Sequence, residues 1–461
     1  MHNFHKFDPS VLREYDIRGI INDTLTANDA HAIGSIFGSV INKNDGHSVV
    51  VGRDGRHSSL EIEKNLIEGL ISQGLKVFKI GLCPTPQLYF GVHHLRADGG
   101  IMITGSHNPP DYNGFKMMLG HGPFFGQDIK DMAKTPYNRT KIIEGGQQIQ
   151  LDIQDAYLHR VLEGLRLDTK LSIVWDCGNG VAGPVIDKLS KSLSGEHEVL
   201  FADVDGNFPN HHPDPTIEKN LETLITRVKK RNADLGIAFD GDGDRIGVID
   251  DLGKILWGDQ LLAILAEDVL FEQPGSTIIG DVKASQGLFD RITALGGKPL
   301  MWKTGHSLIK NKMKEVNAPL AGEMSGHIFF SDRYFGFDDA IYAAIRLIDV
   351  VNRQGKKLST IRSALPSVIN TPELRLPCEG KNKFSMIEQV KEILREYKNV
   401  EVCDIDGVRV SSKYGWWLIR ASNTQEIVVA RCEATSTEYL ENIKAQLKEI
   451  LQRIQLPYPP F

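Results

Sequence analysis

The apolar and polar positions of the chain repeat a short order of predicted elements. In the first pass, the apolar stretch Ser48–Val51 predicts a strand that stops at residues 52–54. Apolar positions at helical spacing follow from Leu60 to Leu70. A second strand is predicted over Lys76–Ile80 and a third over Ala97–Ile103, where the chain enters a polar loop. This order of strand, helix and two further strands is typical of α/β proteins.

The same order recurs twice. The strands of these later passes are predicted at residues 171–175, 198–201 and 233–239, and at 276–279, 299–302 and 318–321. Three passes of one supersecondary unit predict three related, mixed α/β domains. Each third strand runs into a polar loop, so the three loops can face one central cleft if the domains pack around one axis.

The C-terminal part of the chain breaks this pattern. It reads as strand-like stretches and amphipathic helices at residues 371–376, 385–397, 416–420, 427–431 and 437–454. These elements predict a smaller α+β domain. We therefore expect four domains, at residues 1–152, 153–254, 255–367 and 368–461.

Composition agrees with several domains and excludes some functions. The chain has 461 residues, 41% hydrophobic and 24% charged, as in ordinary globular proteins. A net charge of -6 argues against nucleic acid as a partner. No stretch approaches the roughly 20 apolar residues of a membrane span, and the N-terminus does not read as a signal peptide. The five scattered cysteines lack metal-site spacing, which favours reduced thiols and a cytoplasmic location.

The first polar loop, Thr104–Pro109, can present a serine at the end of a sheet. Pro109 cannot continue a strand, because proline lacks the N–H that a ladder needs. No serine-hydrolase elbow or triad order accompanies Ser106. If the segment is extended, His107 is expected to point away from it, since neighbours in an extended chain alternate faces. Taken alone, a strand-ending turn with a chance serine is an equally good interpretation.

The second loop, Asp240–Asp244, carries aspartates at alternate positions between apolar stretches. Their carboxylates repel one another unless a cation lies among them, and oxygen ligands suit Mg²⁺ or Ca²⁺. A calcium EF-hand is excluded, because Arg245 and Asp251 occupy its sixth and twelfth positions. Three ligands leave coordination open, which favours Mg²⁺ bound next to a phosphoryl oxygen over a plain surface turn.

A phosphoryl group on Ser106 would complete the shell of such a metal. Arg245 and Lys116 could offset its remaining negative charge. An ordinary solvated lysine on a strand is an equally good interpretation of Lys116.

Two later loops suit a phosphorylated sugar. Glu323 and Ser325 offer a carboxylate and a hydroxyl that can bind adjacent sugar hydroxyls, although a helix-capping role stays open. Residues 420–424 offer a guanidinium, two hydroxyls and an amide, which suit a phosphate, although a polar hairpin turn is nearly as good an interpretation. Lys283 and His306 are further polar residues at predicted strand ends or loops.

Together these motifs resemble the α-D-phosphohexomutase family over essentially the whole chain. The matching motifs are TGSHNP with a downstream NGFK, then DGDGDR, GEMSGH and RASNT. Within that family the chain is most similar to the bacterial phosphomannomutase/phosphoglucomutase group. The resemblance implies four domains around a deep cleft. It also implies reversible phosphoryl transfer between hexose 1-phosphate and hexose 6-phosphate, of mannose or glucose, through a phosphoserine and a hexose 1,6-bisphosphate.

The resemblance also implies roles for individual residues. The implied catalytic residues are the phosphoserine Ser106 with Arg245, Lys116, Arg18 and His107. The implied ligands of Mg²⁺ are Ser106, Asp240, Asp242 and Asp244. The implied substrate-binding residues are Tyr15, Lys283, His306, Glu323, Met324, Ser325, Gly326, His327, Arg420, Ala421, Ser422, Asn423 and Thr424.

The expected cofactors are Mg²⁺ and the bisphosphate, the expected partner is a small phosphosugar, and the expected state is a monomer. Three alternatives stay open: a phosphoglucosamine mutase, a Mg²⁺-dependent sugar-phosphate phosphatase and a non-catalytic phosphosugar-binding protein.

Overall fold

Four β-sheets covered by helices make up the computed structural model, which describes residues 4–139, 142–166, 168, 170–378, 382–398, 400–422 and 427–457. The helices are α1 (Ala27–Lys43), α2 (Ser59–Ile71), α3 (Thr85–His94), α4 (Gln127–Met132), α5 (Gln154–Leu162), α6 (Gly183–Ser190), α7 (Glu222–Arg231), α8 (Gly258–Glu272), α9 (Gln286–Ala294), α10 (His306–Val316), α11 (Ala340–Gln354), α12 (Leu358–Ser363), α13 (Lys383–Leu394) and α14 (Thr437–Arg453). The strands are β1 (Ile17–Ile20), β2 (Ser48–Arg53), β3 (Lys76–Leu82), β4 (Gly99–Ile103), β5 (Tyr112–Leu119), β6 (Gly122–Phe124), β7 (Gln147–Gln150), β8 (Leu171–Asp176), β9 (Gly195–Leu200), β10 (Leu235–Phe239), β11 (Ile246–Asp250), β12 (Ile255–Leu256), β13 (Thr277–Asp281), β14 (Lys298–Trp302), β15 (Leu320–Gly322), β16 (Ile328–Phe330), β17 (Ile369–Asn370), β18 (Leu374–Pro377), β19 (Glu401–Cys403), β20 (Val408–Ser412), β21 (Gly415–Ala421) and β22 (Ile427–Ala434).

The first sheet is a layer between helices. Its strand order is β1-β5-β4-β2-β3-β7, with β6 paired to β5. Strands β4, β2, β3 and β7 are parallel, whereas β5 runs antiparallel to β4 and β1. Alternate residues of β2 enter different cores, because Val49 and Val51 pack with α1 and α2 while Val50 packs with α3. Such burial on both faces explains why this strand reads as a continuous apolar run.

The second and third sheets repeat the central order of the first. The sequence β5-β4-β2-β3 of the first sheet corresponds to β11-β10-β8-β9 and to β16-β15-β13-β14. In each sheet the first strand of this order is antiparallel to the second, and the other three are parallel. The predicted three related α/β domains are confirmed. The antiparallel strand that follows each polar loop was not part of the predicted repeat.

The fourth sheet is antiparallel and smaller. Its order is β17-β22-β21-β20-β19, with β18 also paired to β22. Helices α13 and α14 pack on it around the buried Trp417. This confirms the predicted α+β domain, but the strand expected over residues 371–376 is divided into β17 and β18. Pro372 interrupts it, because proline cannot donate to the ladder.

The repeated topology places the polar loops alike. The serine loop follows β4, the acidic loop follows β10 and the loop with Glu323 follows β15, always at the carboxyl end of the same strand of the unit. Ligands of α/β sheets bind at such ends. The predicted boundaries after residues 152, 254 and 367 stay predictions. Within the described ranges, every helix is too short or too polar to cross a membrane.

Candidate active site

Ser106 is held in a strained turn at the end of β4. Its φ is 50°, in the left-handed region that residues other than glycine rarely adopt. The Ser106 N–H donates to Thr104 Oγ1 at 2.7 Å, and the preceding N–H of Gly105 donates to Asp54 Oδ2 at 3.0 Å. These bonds offset the strain and fix the direction of the hydroxyl.

Arg56 is a buried anchor of the serine loop that the sequence reading missed. Its guanidinium donates to the carbonyl oxygens of Ser106 at 2.8 Å and Asn108 at 2.6 Å, and also to that of Pro109. Asp54 Oδ2 accepts from Arg56 Nε at 3.1 Å. One guanidinium therefore donates hydrogen bonds to three carbonyl oxygens of the serine loop. The position of Arg56 in the sequence does not indicate these contacts.

The three aspartates of the second loop converge as predicted. Asp240, Asp242 and Asp244 are all fully buried, and one ligand atom from each lies within 4.8 Å of the others. Among the described residues, Asp242 Oδ1 and Asp244 Oδ1 have no hydrogen-bond partner. Ser106 Oγ donates to Asp240 Oδ2 at 3.0 Å, so the serine borders the cluster. Burial and the neighbouring carboxylates raise the pKa of Asp240 well above its ordinary value.

Lys116 on β5 is not the solvated lysine that the alternative interpretation required. It is buried, and its Nζ donates to Asp242 Oδ2 at 2.6 Å and to Asp244 Oδ2. Burial opposes the ammonium form, but Asp242 and Asp244 outweigh it and raise the pKa of Lys116. One cation therefore offsets only part of the charge of three carboxylates, and it leaves both Oδ1 atoms available to a metal ion.

The first domain contacts the acidic loop at Thr85 and at the backbone of Ser106. Thr85, at the start of α3, donates its N–H to the carbonyl of Asp242 at 2.8 Å and its hydroxyl to Asp242 Oδ2 at 2.5 Å. A Cβ on Gly241 would lie 2.5 Å from the carbonyl oxygen of Ser106. Only glycine allows this approach, so the serine and the carboxylates are held at a fixed separation.

The expected direction of His107 is wrong. Its Nδ1 lies 3.1 Å from Ser106 Oγ, because the left-handed Ser106 breaks the face alternation of an extended chain. Desolvation and the nearby Arg245 lower the pKa of His107 well below its ordinary value, which favours the neutral ring. The Ser106 hydroxyl has one hydrogen and lies within hydrogen-bond distance of both His107 Nδ1 and Asp240 Oδ2. His107 therefore contacts the hydroxyl directly.

The third loop joins the second through Arg245 and His327. Arg245 Nε donates to His327 Nε2 at 2.9 Å, and the backbone N–H of Arg245 donates to Asp240 Oδ1 at 3.1 Å. The sugar-binding candidates lie in the same loop, where Ser325 Oγ donates to Glu323 Oε2 at 3.0 Å. Gly326 links the two domains further, because its carbonyl accepts from the N–H of Ile246 at 3.1 Å.

Tyr15 and His306 meet where the first and third domains touch. The Tyr15 hydroxyl donates to the carbonyl of Thr304 at 2.8 Å. Gly305 has φ 136°, and a Cβ there would lie 2.5 Å from the Tyr15 ring, so the contact requires glycine. Glu323 Oε1 accepts from the Gly305 N–H at 3.0 Å. Burial and the nearby Lys310 lower the pKa of His306 well below its ordinary value.

Arg18 borders the serine loop from β1. Its Nη1 donates to Asn108 Oδ1 at 2.6 Å, and its Nη2 pairs with Asp16. The guanidinium is buried beside the residues that follow the serine.

Two cationic candidates, Arg420 of the fourth domain and Lys283 of the third, pair with carboxylates. Arg420 Nη2 lies 3.0 Å from Asp406 Oδ2, and the same oxygen accepts from the Thr304 N–H at 3.0 Å. Lys283 Nζ lies 3.3 Å from Glu373 Oε2. Lys283 and the nearby Arg375 lower the pKa of Glu373 to about 2. Neither Asp406 nor Glu373 was singled out in the sequence.

The remaining candidates are placed as follows. Ala421 ends β21, and the Ser422 N–H donates to the carbonyl of Ile427 at 3.0 Å. Met324 Sδ lies 2.6 Å from Arg431 Nη1, which comes from the fourth domain. Asn423 and Thr424 lie outside the described residues.

Family models match all four units of the chain. Phosphoglucomutase/phosphomannomutase alpha/beta/alpha domains I, II and III match residues 10–141, 155–253 and 257–368, and the C-terminal domain matches residues 373–450. The chain belongs to the phosphoglucomutase/phosphomannomutase family. The resemblance stated from the motifs is thereby confirmed.

Relatives of this family match nearly the whole chain. A protein named phosphomannomutase/phosphoglucomutase from Pseudomonas aeruginosa is 44% identical over 98% of this chain and 98% of its own length. A protein named phosphoglucomutase from Neisseria gonorrhoeae is 41% identical over 96% of each chain. The crystal structure of a phosphoglucomutase/phosphomannomutase family protein from Burkholderia thailandensis has a TM-score of 0.92 at 41% identity, covering 98% of this chain and 100% of that one.

Proposed function

We propose that this protein interconverts hexose 1-phosphate and hexose 6-phosphate, of mannose or glucose, with Ser106 as the phosphoryl carrier. One observation carries the proposal: Ser106 Oγ lies 3.0 Å from Asp240 Oδ2, at the edge of a buried cluster of three carboxylates. A hydroxyl in that place is next to the cation site that a transferring phosphoryl group needs. The names of the Pseudomonas and Neisseria relatives support a mutase of hexose phosphates.

The carboxylate cluster fits Mg²⁺. Asp240, Asp242 and Asp244 supply oxygen donors, and two of their buried oxygens have no partner among the described residues. Together with a phosphoserine oxygen they would hold the ion. When bound, the ion would offset charge on the transferring phosphoryl group.

Transfer exchanges one P–O bond for another. The bond between phosphorus and Ser106 Oγ breaks as a bond forms to the free sugar hydroxyl; that hydroxyl gives up its proton, Ser106 Oγ takes up one proton, and the product is the 1,6-bisphosphate. In the second half, the other phosphoryl group moves to Ser106 Oγ, which gives up its proton, and the sugar oxygen that it leaves takes up one proton to become a hydroxyl. Lys116, Arg245 and Arg18 lie around the serine loop and offset negative charge during both steps.

Substrate recognition falls to the third and fourth domains. Glu323 and Ser325 bind sugar hydroxyls, with the backbone of Met324, Gly326 and His327 shaping the loop. Arg420 and Ser422, with Ala421, Asn423 and Thr424, bind the phosphate that is not being transferred. Lys283, His306 and Tyr15 line the path of the substrate. A monomeric state and a cytoplasmic location stay predictions.

The test is Ser106→Ala, assayed with mannose 1-phosphate and glucose 1-phosphate after priming with hexose 1,6-bisphosphate. We expect loss of nearly all isomerisation, with Ser363→Ala, which changes an exposed serine of α12, as the matched control. Mass spectrometry of the wild-type protein should find phosphoserine at 106 and lose it in the variant. Wild-type turnover by Ser106→Ala would overturn the assignment.

The same assay separates the alternatives. Free phosphate accumulating in place of an isomer identifies a phosphatase. A much larger kcat/KM for glucosamine 1-phosphate identifies a phosphoglucosamine mutase. Sugar phosphate binding without any turnover identifies a binding protein.

A further inference from the structure

Asp281 is a fully buried carboxylate at the carboxyl end of β13, an inner strand of the third sheet. Its Oδ1 accepts from the Met324 N–H at 3.2 Å, and its Oδ2 accepts from the Thr304 hydroxyl at 3.0 Å. Met324 lies in the loop after β15, and Thr304 lies in the segment between β14 and α10. One side chain therefore joins the polar segments that follow the two strands next to its own.

The two segments that Asp281 joins also meet at Glu323. Glu323 Oε1 accepts from the Gly305 N–H at 3.0 Å. Gly305 directly follows Thr304, and Met324 directly follows Glu323. Each hydrogen bond to Asp281 is therefore one residue away from one side of the contact between Gly305 and Glu323. Because both segments are tied to the same carboxylate, the loss of Asp281 would let them shift apart and would move the Glu323 side chain.

The first repeat holds its serine loop in the same way. Asp54 follows the last residue of β2 that pairs with β4, and Asp281 follows the last residue of β13 that pairs with β15. In each repeat, this carboxylate accepts from the N–H two residues beyond the end of that pairing. The donor is Gly105 at 3.0 Å for Asp54, and Met324 at 3.2 Å for Asp281. The same position of the repeated unit therefore holds the serine loop in one domain and the loop of Glu323 in another.

The second repeat closes its loop differently. Cys177 follows the last residue of β8 that pairs with β10, so the carboxylate is replaced there by a thiol. The acidic loop is held by one of its own side chains, because Asp240 Oδ1 accepts from the N–H groups of Asp244 and Arg245, both at 3.1 Å. The repeated fold therefore forms without a carboxylate at the position of Asp281, and this carboxylate serves the loop that it holds.

We propose that Asp281 is a positioning residue for sugar recognition: by holding Met324 and Thr304, it places the Glu323 carboxylate where that group binds sugar hydroxyls. This rests on the proposed function, which assigns Glu323 to the sugar. Because Asp281 is fully buried, it acts on a substrate only through the two segments that it joins. The transferring phosphoryl group lies at Ser106 instead, so the loss of Asp281 affects KM for the hexose phosphates more than kcat.

The first variant is Asp281→Ala, which removes the acceptor of both hydrogen bonds. We expect KM for glucose 1-phosphate and mannose 1-phosphate to rise about 10-fold, with kcat within about 3-fold of the wild type. Asp349→Ala is the matched control. Asp349 is a buried carboxylate of α11 in the same domain, and it also accepts from one backbone N–H, that of Arg166 at 3.0 Å, and one side chain, that of Arg353 at 3.1 Å. Its loss should lower stability without raising KM.

A conservative variant, Asp281→Asn, tests whether position or charge matters. The amide oxygen can accept from the Met324 N–H, and the amide nitrogen can donate to the Thr304 hydroxyl oxygen, so both connections persist. We expect KM within about 3-fold of the wild type. Thr304→Val breaks one of the two connections and should raise KM about 3-fold. Added to Asp281→Ala, it should change nothing further, because the contact that it removes is already lost.

Calorimetric titration with glucose 1-phosphate measures the same order of variants without turnover. We expect Kd to rise about 10-fold in Asp281→Ala and to return close to the wild-type value in Asp281→Asn. Unchanged KM and Kd in a folded Asp281→Ala would overturn the inference, and so would an Asp281→Asn as weak as Asp281→Ala or an equal weakening by Asp349→Ala. A wild type that binds glucose 1-phosphate but forms no isomer would contradict the proposed function alone, and the Kd values would still test Asp281.

Discussion

The serine–aspartate region and the Glu323–Arg420 region differ in the balance between carboxylates and the cations that contact them. Around Ser106, carboxylates outnumber cations: one lysine faces three buried aspartates, and two of their oxygens lack partners among the described residues. Around the sugar and phosphate candidates, Arg420 contacts Asp406, and Lys283 contacts Glu373. The aspartate cluster therefore has fewer cations in contact than carboxylates, whereas Arg420 and Lys283 each already contact a carboxylate.

This difference indicates how each region meets its ligand. In the first, the unpartnered carboxylate oxygens favour a bound cation, and backbone contacts hold the loops together. In the second, we expect an incoming phosphate to compete with a carboxylate for an arginine or lysine. We therefore expect changes in the first region to affect kcat, and changes in the second to affect KM and stability.

The largest effect is expected from Asp242→Asn. It removes one carboxylate from the cluster and weakens the contact with Lys116, so stabilisation of the transferring charge is lost. We expect kcat to fall by about 10²–10³-fold and half-maximal activity to require more Mg²⁺, measured as initial rates against Mg²⁺ concentration. Asp187→Asn, an exposed aspartate paired with Lys191, is the control. An unchanged rate after removal of divalent ions by a chelator would contradict the charge comparison.

An intermediate effect is expected from Arg420→Lys. The lysine keeps the charge but loses the planar fork that binds a phosphate with two hydrogen bonds. We expect kcat/KM to fall roughly 10-fold for both hexose phosphates, mainly through KM, which corresponds to one charge-assisted hydrogen bond. Arg453→Lys keeps its exposed contact with Glu396 and serves as the control. A fall confined to kcat would break the distinction between the two regions.

The smallest effect is expected from Glu373→Gln, and it appears in stability. Lys283 lowers the pKa of Glu373 to about 2 from an ordinary value of 4.5. Because the folded-state pKa is lowered, the stabilisation is present above pH 4.5 and is lost as the pH falls toward 2. The wild type should exceed the variant by at most roughly 3 kcal/mol in the free energy of unfolding at pH 5.

The difference between the wild type and Glu373→Gln should shrink on acidification. Urea unfolding at pH 5 and pH 3 measures it, with Glu388→Gln, an exposed partner of Lys391, as the control. A difference that grows as the pH falls would show that the Lys283–Glu373 pair does not stabilise the fold.

The parts of the site that could be predicted from the sequence depend on residues that are close together in the chain or on the regular repeat of elements. The aspartates at alternate positions converge because glycines between them allow a tight turn, and the repeated order of strands places three loops alike. Both signals lie within a few residues or in a regular repeat.

The parts that were missed depend on contacts between distant residues. Arg56 anchors a loop fifty residues away, and Asp406 contacts both Arg420 and Thr304, yet each is one charged residue without a distinctive neighbourhood. The predicted direction of His107 is wrong for another reason. The prediction assumed an extended chain, whereas Ser106 adopts a left-handed conformation that the hydrogen bonds around it stabilise.

Asp406 connects Arg420 of the fourth domain with the contact between the first and third domains. Its Oδ2 accepts from the Thr304 N–H and contacts Arg420, while the Thr304 carbonyl accepts from Tyr15 of the first domain. A phosphate that displaces Asp406 from Arg420 therefore changes the environment of the carboxylate that accepts from the Thr304 N–H. The carbonyl of the same residue accepts from the Tyr15 hydroxyl. By thermodynamic linkage, any such coupling is reciprocal. If phosphate binding strengthens or weakens the contact between the first and third domains, closing that contact changes the phosphate affinity by the same free energy.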